Sequence, residues 1–135
     1  MVSSAAMVGR ESTKTDPGTR FTFPRSARLH KRADLARVFG RKCSAGDGRL
    51  VVYVDANGLG ITRLGLSISR RVGKAHIRNR MKRLVREAFR LTRHQLPPGL
   101  DLLCVIKPHA EPSLDDYRRS LRQLVGAGQR RLKRR

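Results

Sequence analysis

Apolar residues recur along this chain with two different periods, and each period predicts a kind of element. Residues 31–39, KRADLARVF, put Leu35, Val38 and Phe39 on one face of a short helix. Gly40 and the polar, glycine-containing run behind it read as a loop. Residues 50–55, LVVYVD, are apolar and β-branched, which predicts a strand. Asn57-Gly58 and Gly60 then supply a turn. In residues 63–69, RLGLSIS, Leu64, Leu66 and Ile68 alternate with Gly65, Ser67 and Ser69. One face of that strand is therefore apolar, and the other, lined with small side chains, leaves room for something to lie against it. From Ile77 to about His94 the period turns helical, with Ile77, Met81, Leu84, Val85 and Ala88 on one side. Pro97-Pro98-Gly99 ends this region, and residues 102–107, LLCVIK, predict another buried strand. Ser113 caps a last helix, Asp115 and Asp116 favour its positive end, and Leu114, Tyr117, Leu121, Leu124 and Val125 form its apolar stripe.

The order is helix, strand, strand, helix, strand, helix, with room for one more strand. It predicts one α/β layer domain, residues 25–125, with helices on a small sheet. Residues 1–24 read as a disordered tail ending near Phe21, Phe23 and Pro24; the two rings either dock on the domain or stay unstructured. Residues 126–135 read as a basic, purely electrostatic tail.

Charge changes the picture. Lys and Arg number 31 against 10 acids, a formal net charge of +21. Such a chain repels itself unless a polyanion neutralises it, and nucleic acid is the leading candidate. Between residues 63 and 93, eleven cations (Arg63, Arg70, Arg71, Lys74, Arg78, Arg80, Lys82, Arg83, Arg86, Arg90, Arg93) accompany one acid, Glu87. On the long helix Arg78, Lys82, Arg86, Arg90 and Arg93 fall in an arc of roughly 120° away from the apolar side. An ordinary solvated surface mixes both signs, and this one does not.

Catalytic chemistry is hard to find. His30, His76, His94 and His109 are scattered, with no carboxylate at suggestive spacing. Asp34, Asp47, Asp55 and Asp101 stand near turns or element ends and read as capping or solubilising groups. Cys43 and Cys104 read as two free thiols, the second in an apolar run, which suits a reducing cytoplasm. No run is long and apolar enough to span a bilayer.

The run GLSISRRVGKAHIRNRMKRLVREAF, residues 65–89, closely resembles the signature of the bacterial ribonuclease P protein subunit. Arg78-Asn79-Arg80, followed by Lys82-Arg83 and Arg86, matches that family's RNR motif. The strand reaching Ser67, the Gly73 turn and the basic run Arg70, Arg71 and Lys74 match too, and the likeness extends from about Leu29 to Leu124. The family usually has an aromatic where this chain has Leu35, a glycine soon after the first helix, and Arg where Lys107 precedes Pro108.

The resemblance implies an α/β two-layer sandwich: a small mixed sheet of about four strands with three helices, ribosomal-protein-S5-domain-2-like, with a left-handed strand–helix–strand crossover. It also implies a cytoplasmic ribonucleoprotein, one protein per RNA, in which a catalytic RNA uses Mg²⁺ to remove the 5′ leader of precursor tRNA. The protein then supplies no catalytic residue and holds no metal. Its RNA-binding residues are expected to be Arg70, Arg71, Lys74, Arg78, Asn79, Arg80, Lys82, Arg83 and Arg86. A leader cleft is expected from Leu35, Phe39, Tyr53 and Ser67. Each has a plainer alternative: Phe39 as core, Tyr53 facing either side of its strand, Asn79 as a helix-start residue. A ribosomal RNA-binding protein, a self-sufficient nuclease and a membrane-surface peptide are the competing functions.

Overall fold

The computed structural model describes residues 23–109 and 113–134. Helix α1 spans Arg32–Gly40, strand β1 Ser44–Gly46, β2 Leu50–Ala56, β3 Arg63–Ile68, helix α2 Ala75–Thr92, strand β4 Leu100–Ile106 and helix α3 Leu114–Lys133. The strands form one sheet in the order β1-β2-β4-β3. β2 pairs antiparallel with both β1 and β4, while β3 and β4 run parallel, so the sheet is mixed as expected. A parallel pair needs a long crossover, and α2 is that crossover.

Side-chain alternation gives the sheet two distinct faces. On one, Leu50, Val52, Val54, Leu64, Leu100, Leu102, Cys104 and Ile106 pack against Met81, Val85, Ala88 and Phe89 of α2 and against Tyr117, Leu121, Leu124 and Val125 of α3. On the other, α1 covers part of the sheet through a smaller cluster of Leu29, Val38 and Leu103, with Leu35, Tyr53 and Val105 at its margin. α3 starts where its sequence says it should. The Ser113 hydroxyl accepts from the Asp116 N–H at 3.2 Å and the Asp116 carboxylate accepts from the Ser113 N–H at 3.0 Å, a capping box.

Four features depart from the sequence reading or resolve what it left open. The stretch read as a loop after Gly40 contains β1, an edge strand whose only ladder is with β2. Phe23 docks on the core edge to face against Phe89, with ring centroids 5.1 Å apart, while Phe21 lies outside the described residues. Ile77, expected in the apolar stripe of α2, is exposed; it stands in the first turn, over Gly73, rather than over the sheet. The residues read as a C-terminal basic tail are largely helical, because α3 runs on to Lys133.

The last difference has a steric cause. Gly128, which lies within the stretch read as a tail, is buried and serves as a contact point. A Cβ there would meet Val54 Cγ2 at 2.3 Å, and the Cys43 thiol donates to the Gly128 carbonyl at 3.4 Å. The missing side chain lets α3 close onto β2, and Arg131 then reaches the Ser44 carbonyl of β1 at 2.7 Å.

The two helix glycines should therefore respond oppositely to the same change. Gly126→Ala meets only the end of Arg130 at 3.5 Å and is expected to stabilise by up to about 1 kcal/mol through helix propensity. Gly128→Ala gains the same propensity but overpacks against Val54, and a net loss of about 1–3 kcal/mol is expected. Urea unfolding of the two variants checks both signs.

Candidate nucleic-acid interface

The sheet register sorts the residues on the α1 face into rows that run across the strands. Arg63, Asp101 and Asp55 make the first row. Gly65, Leu103, Tyr53 and Ser44 make the second, and Ser67, Val105, Val51 and Gly46 the third. α1 lies over the first two rows and leaves the third open.

The first row is a clamp. Asp101 has no exposed surface. Its carboxylate accepts from Arg63 Nε and Nη2, both at 2.7 Å, and from Asn57 Nδ2 at 2.9 Å. Arg37 of α1 donates to Asp101 and Asp55 together, and Asp34 lies within 3.8–3.9 Å of Arg37 and Arg63. Burial by itself would push the Asp101 carboxyl up. The donors Arg63, Asn57 and Arg37 outweigh it and hold the group below the usual carboxylate range. Asp101 is thus neither a cap nor a solubilising group, as its sequence position suggested; it ties α1 to the centre of the sheet. Period-2 alternation in RLGLSIS and in LVVYVD already puts Arg63 and Asp55 on this face. The signal that was missing is the partner strand, which brings Asp101 between them.

The second row sets how close α1 comes. A Cβ on Gly65 would lie 2.6 Å from the Leu29 carbonyl and 2.7 Å from Leu35 Cδ2. The space left by the small-residue face is filled there by the chain's own Leu29 and Leu35, not by a ligand. Further along, Phe39 and Tyr53 face each other with ring centroids 4.9 Å apart. Phe39 is 53% exposed although it is a large apolar residue, and Tyr53 is half-buried on the α1 side of its strand. Ser67 is exposed in the third row, across Val105 from Val51. Leu35, Phe39 and Tyr53 therefore come together as one wall, and Ser67 shares the floor without touching them. Val51 and Val105 complete that floor and were not singled out from the sequence.

Beyond Ser67 the chain rounds the sheet edge into the basic segment. Arg70 and Arg71 are exposed in a 3-10 turn that Ser69 caps by accepting from the Arg71 N–H at 3.1 Å. Lys74 precedes α2 as its exposed N-cap residue, and Gly73 takes φ +152° to make the bend. Asn79 is the fifth residue of α2, beyond capping reach, and it is exposed along with Arg80, Arg83 and Arg86. Arg78 and Lys82 are half-buried on the flank. Other cations expected in the arc are engaged. Arg90 pairs with Glu87 through Nε at 2.9 Å, and Arg93 is half-buried, its guanidinium pushed down by burial. Arg63 belongs to the clamp. No ion pair among the described residues involves Arg70, Arg71, Lys74, Arg78, Lys82, Arg83 or Arg86.

Asp47, His109 and the two cysteines have structural surroundings. Asp47 accepts from the N–H groups of Arg49 and Leu50 and from Ser120 Oγ at 2.7 Å. His109 lies between the Lys107 carbonyl and the Tyr117 hydroxyl. Burial pushes the Cys104 thiol up to about 12, and Cys43 is buried and unpaired with it. No group of three or more potential metal ligands occurs among the described residues. No helix among them is long and apolar enough to cross a membrane.

Comparison with known proteins agrees on one family. The sequence profile named Ribonuclease P matches residues 23–128. The ribonuclease P protein component of Desulfovibrio desulfuricans is 37% identical over 109 residues, covering 78% of this chain and 83% of the relative. That of Cronobacter sakazakii is 42% identical over 89 residues, covering 65% and 74%. Among solved structures, the RNase P protein of Thermotoga maritima superposes with a TM-score of 0.62 at 31% identity, over 70% of this chain and 90% of that one. The Staphylococcus aureus RNase P protein gives 0.65 at 27% identity, over 74% and 93%.

The clamp makes a prediction in pH. The Asp101 carboxyl is lowered on folding, so its contribution is complete above its unfolded value, ~3.9, and is lost as pH falls through the folded value. Asp101→Asn leaves Arg63 and Arg37 facing a neutral group and is expected to cost about 3 kcal/mol at pH 7. Chemical unfolding at pH 7 and pH 3 should show the gap between wild type and variant narrowing in acid. An equal gap at both values would remove the carboxylate from this role.

Proposed function

Because this chain belongs to the ribonuclease P protein family, and as such partners a ribonuclease P RNA, we propose that its two exposed surfaces divide the work between two RNAs. The exposed side of α2 and the turn before it take the backbone of the catalytic RNA. The cleft between α1 and the open row of the sheet takes the unpaired 5′ leader of precursor tRNA.

One observation carries this reading: the described acids are engaged at turns, caps and pairs of their own, while Arg70, Arg71, Lys74, Arg83 and Arg86 take part in no ion pair among the described residues. Asp34, Asp55 and Asp101 are held by Arg37 and Arg63, Asp47 by the turn before β2, and Glu87 by Arg90. Arg70, Arg71, Lys74, Arg83 and Arg86 remain exposed beside Asn79 and Arg80. Guanidinium forks on a rigid helix suit phosphate oxygens, and the Asn79 amide adds a neutral donor and acceptor among them. The cleft supplies a different chemistry. Phe39 and Tyr53 offer ring faces on which unpaired bases stack without regard to sequence, and Val51, Val105 and Ser67 give a shallow floor.

In this reading the bond is broken on the RNA side. Mg²⁺ bound by the RNA supplies the activated water and stabilises the leaving oxygen. The chain's own carboxylates do not suit that ion: Asp34, Asp55 and Asp101 face Arg37 and Arg63, which occupy their oxygens. The protein's contribution is to neutralise phosphates, which lowers the Mg²⁺ needed for folding and substrate binding, and to prefer leader-bearing tRNA over the mature product.

The test is reconstitution with the ribonuclease P RNA of the same organism on a leader-bearing precursor at low Mg²⁺. The complex is expected to process it faster than the RNA alone. Equal rates would instead favour a general RNA-binding role. With about six phosphates neutralised, log affinity for the catalytic RNA should fall with log salt at a slope of about −4 to −6. Arg80→Ala should weaken that affinity, and Arg83→Gln with Arg86→Gln should make the slope shallower by about 1.5. Phe39→Ala should leave it unchanged while reducing the preference for leader-bearing over leaderless tRNA by about 1 kcal/mol or more.

A further inference from the structure

The C-terminal helix carries a second cationic ridge. On α3 the buried residues Tyr117, Ser120, Leu121, Leu124, Val125 and Gly128 mark the face that meets the sheet and α2. At 100° per residue, Arg119, Arg122, Arg130 and Lys133 fall within about 80° of one another on the opposite side. All four are exposed. From Arg119 to Lys133 the ridge is about 21 Å long at ~1.5 Å rise per residue. Arg119 leans toward Asp116 at 3.6 Å, a carboxylate already used by the helix cap and by Arg49. No ion pair among the described residues involves Arg122, Arg130 or Lys133.

The helix itself does not call for this pattern. Cations near Lys133 are favoured by the negative end of the helix dipole, but Arg119 and Arg122 stand in the second and third turns, beyond the reach of either end of that field. Like charges at three- and four-residue spacing repel. At the middle of the ridge Gly126 adds no side chain of its own, and the Arg130 guanidinium lies beside it, 3.5 Å from where a Cβ would stand. The ridge is held as rigidly as the fold allows, through Gly128 on Val54 and Arg131 on the β1 carbonyl of Ser44.

We infer that this outer side of α3 is a second RNA-backbone site, separate from α2, with Arg122, Arg130 and Lys133 as its principal phosphate contacts and Arg119 at its end. An anionic membrane is the poorer occupant. Surface-binding helices pair cations with large apolar side chains that insert below the headgroups, and here the ridge has Asp115, paired with Arg118, at its N-terminal end and Gln123 and Gly126 beside it. The inference rests on the RNA-binding reading above. The strand that occupies the ridge is assigned to the catalytic RNA, because α3 packs with α2 on one side of the sheet while the leader cleft lies on the other.

The experiment uses the full chain with Arg119→Gln, Arg122→Gln, Arg130→Gln and Lys133→Gln combined. A charge-conserving partner carries Lys at the three arginine positions, and Arg83→Gln with Arg86→Gln is run in parallel. Affinity is measured from low to high salt against the transcribed ribonuclease P RNA, against precursor tRNA on the assembled complex, and against phosphatidylserine vesicles. The glutamine variant is expected to keep the wild-type unfolding midpoint. Its salt slope should become shallower by about 3, from four contacts at roughly 0.7–0.9 each, with the ribonuclease P RNA; a loss seen with precursor tRNA alone would overturn this assignment. The lysine variant should keep the wild-type slope. Unchanged slopes with both RNAs, while the α2 variant does lose slope, would overturn the α3 site alone, as would loss of vesicle binding with unchanged RNA slopes. Wild-type slopes in the α2 variant as well would sink the broader reading instead.

Discussion

A buried carboxylate shared by two arginines and an asparagine decides where α1 sits, and the position of α1 decides whether this protein has a cleft at all. Asp101 lies at the start of β4, between Arg63 of β3 and Asp55 of β2 in the sheet register. A carboxylate without exposed surface is costly unless its oxygens are satisfied, and here Arg63, Asn57 and Arg37 satisfy them. Of these only Arg37 comes from α1. The helix is therefore fixed at its Asp34–Arg37 turn over the first row, while Phe39 at its far end is left exposed against Tyr53 of the second. An apolar contact alone would let α1 slide toward the rest of the sheet and close that row. A directional, charged contact does not permit the slide.

The same economy of acids accounts for the outer electrostatics. Ten acids in the whole chain are few for 31 cations. Within the described domain they are placed at turns, caps and the clamp, facing inward or along the helix that bears them. The fold then presents cations on the outer sides of both long helices. Such a surface is unfavourable in isolation and becomes favourable once counterions are displaced by a fixed polyanion. Charge placement, and not charge alone, separates this arrangement from a merely basic protein.

The two sides of the sheet also differ in kind. The α2–α3 side is an aliphatic core closed by Phe89 and Tyr117, continuous from Ala45 to Leu124. The α1 side is thin, part ionic and part aromatic, and one of its rows is uncovered. Gly128 and Asp101 each hold two elements together, whereas the third row is lined by exposed Ser67 and half-buried Val51 and Val105.

Much of this was legible in the residues before any coordinates. Strand alternation in RLGLSIS, the helical stripe of Met81, Val85 and Ala88, the Ser113 cap and the unbalanced charge of residues 63–93 are local properties, written in neighbouring positions. The resemblance carried by Arg78-Asn79-Arg80 and its surroundings named the family. What local pattern does not contain is the identity of partners across the fold. Asp101 looked like an element-end acid because Arg63 and Arg37 are 38 and 64 positions away. Gly128 fell in the stretch read as a tail because Val54, the side chain that needs the gap, is on another strand. β1 is too short to announce itself and exists because β2 offers it a ladder. Arg90 and Arg93 looked as available as Arg83 and Arg86 until burial and Glu87 claimed them. Sequence by itself determined the elements, the sign of the surface and the family; tertiary structure alone decided which charges are spent inside and which face outward, since pairing depends on distances that only the closed fold creates.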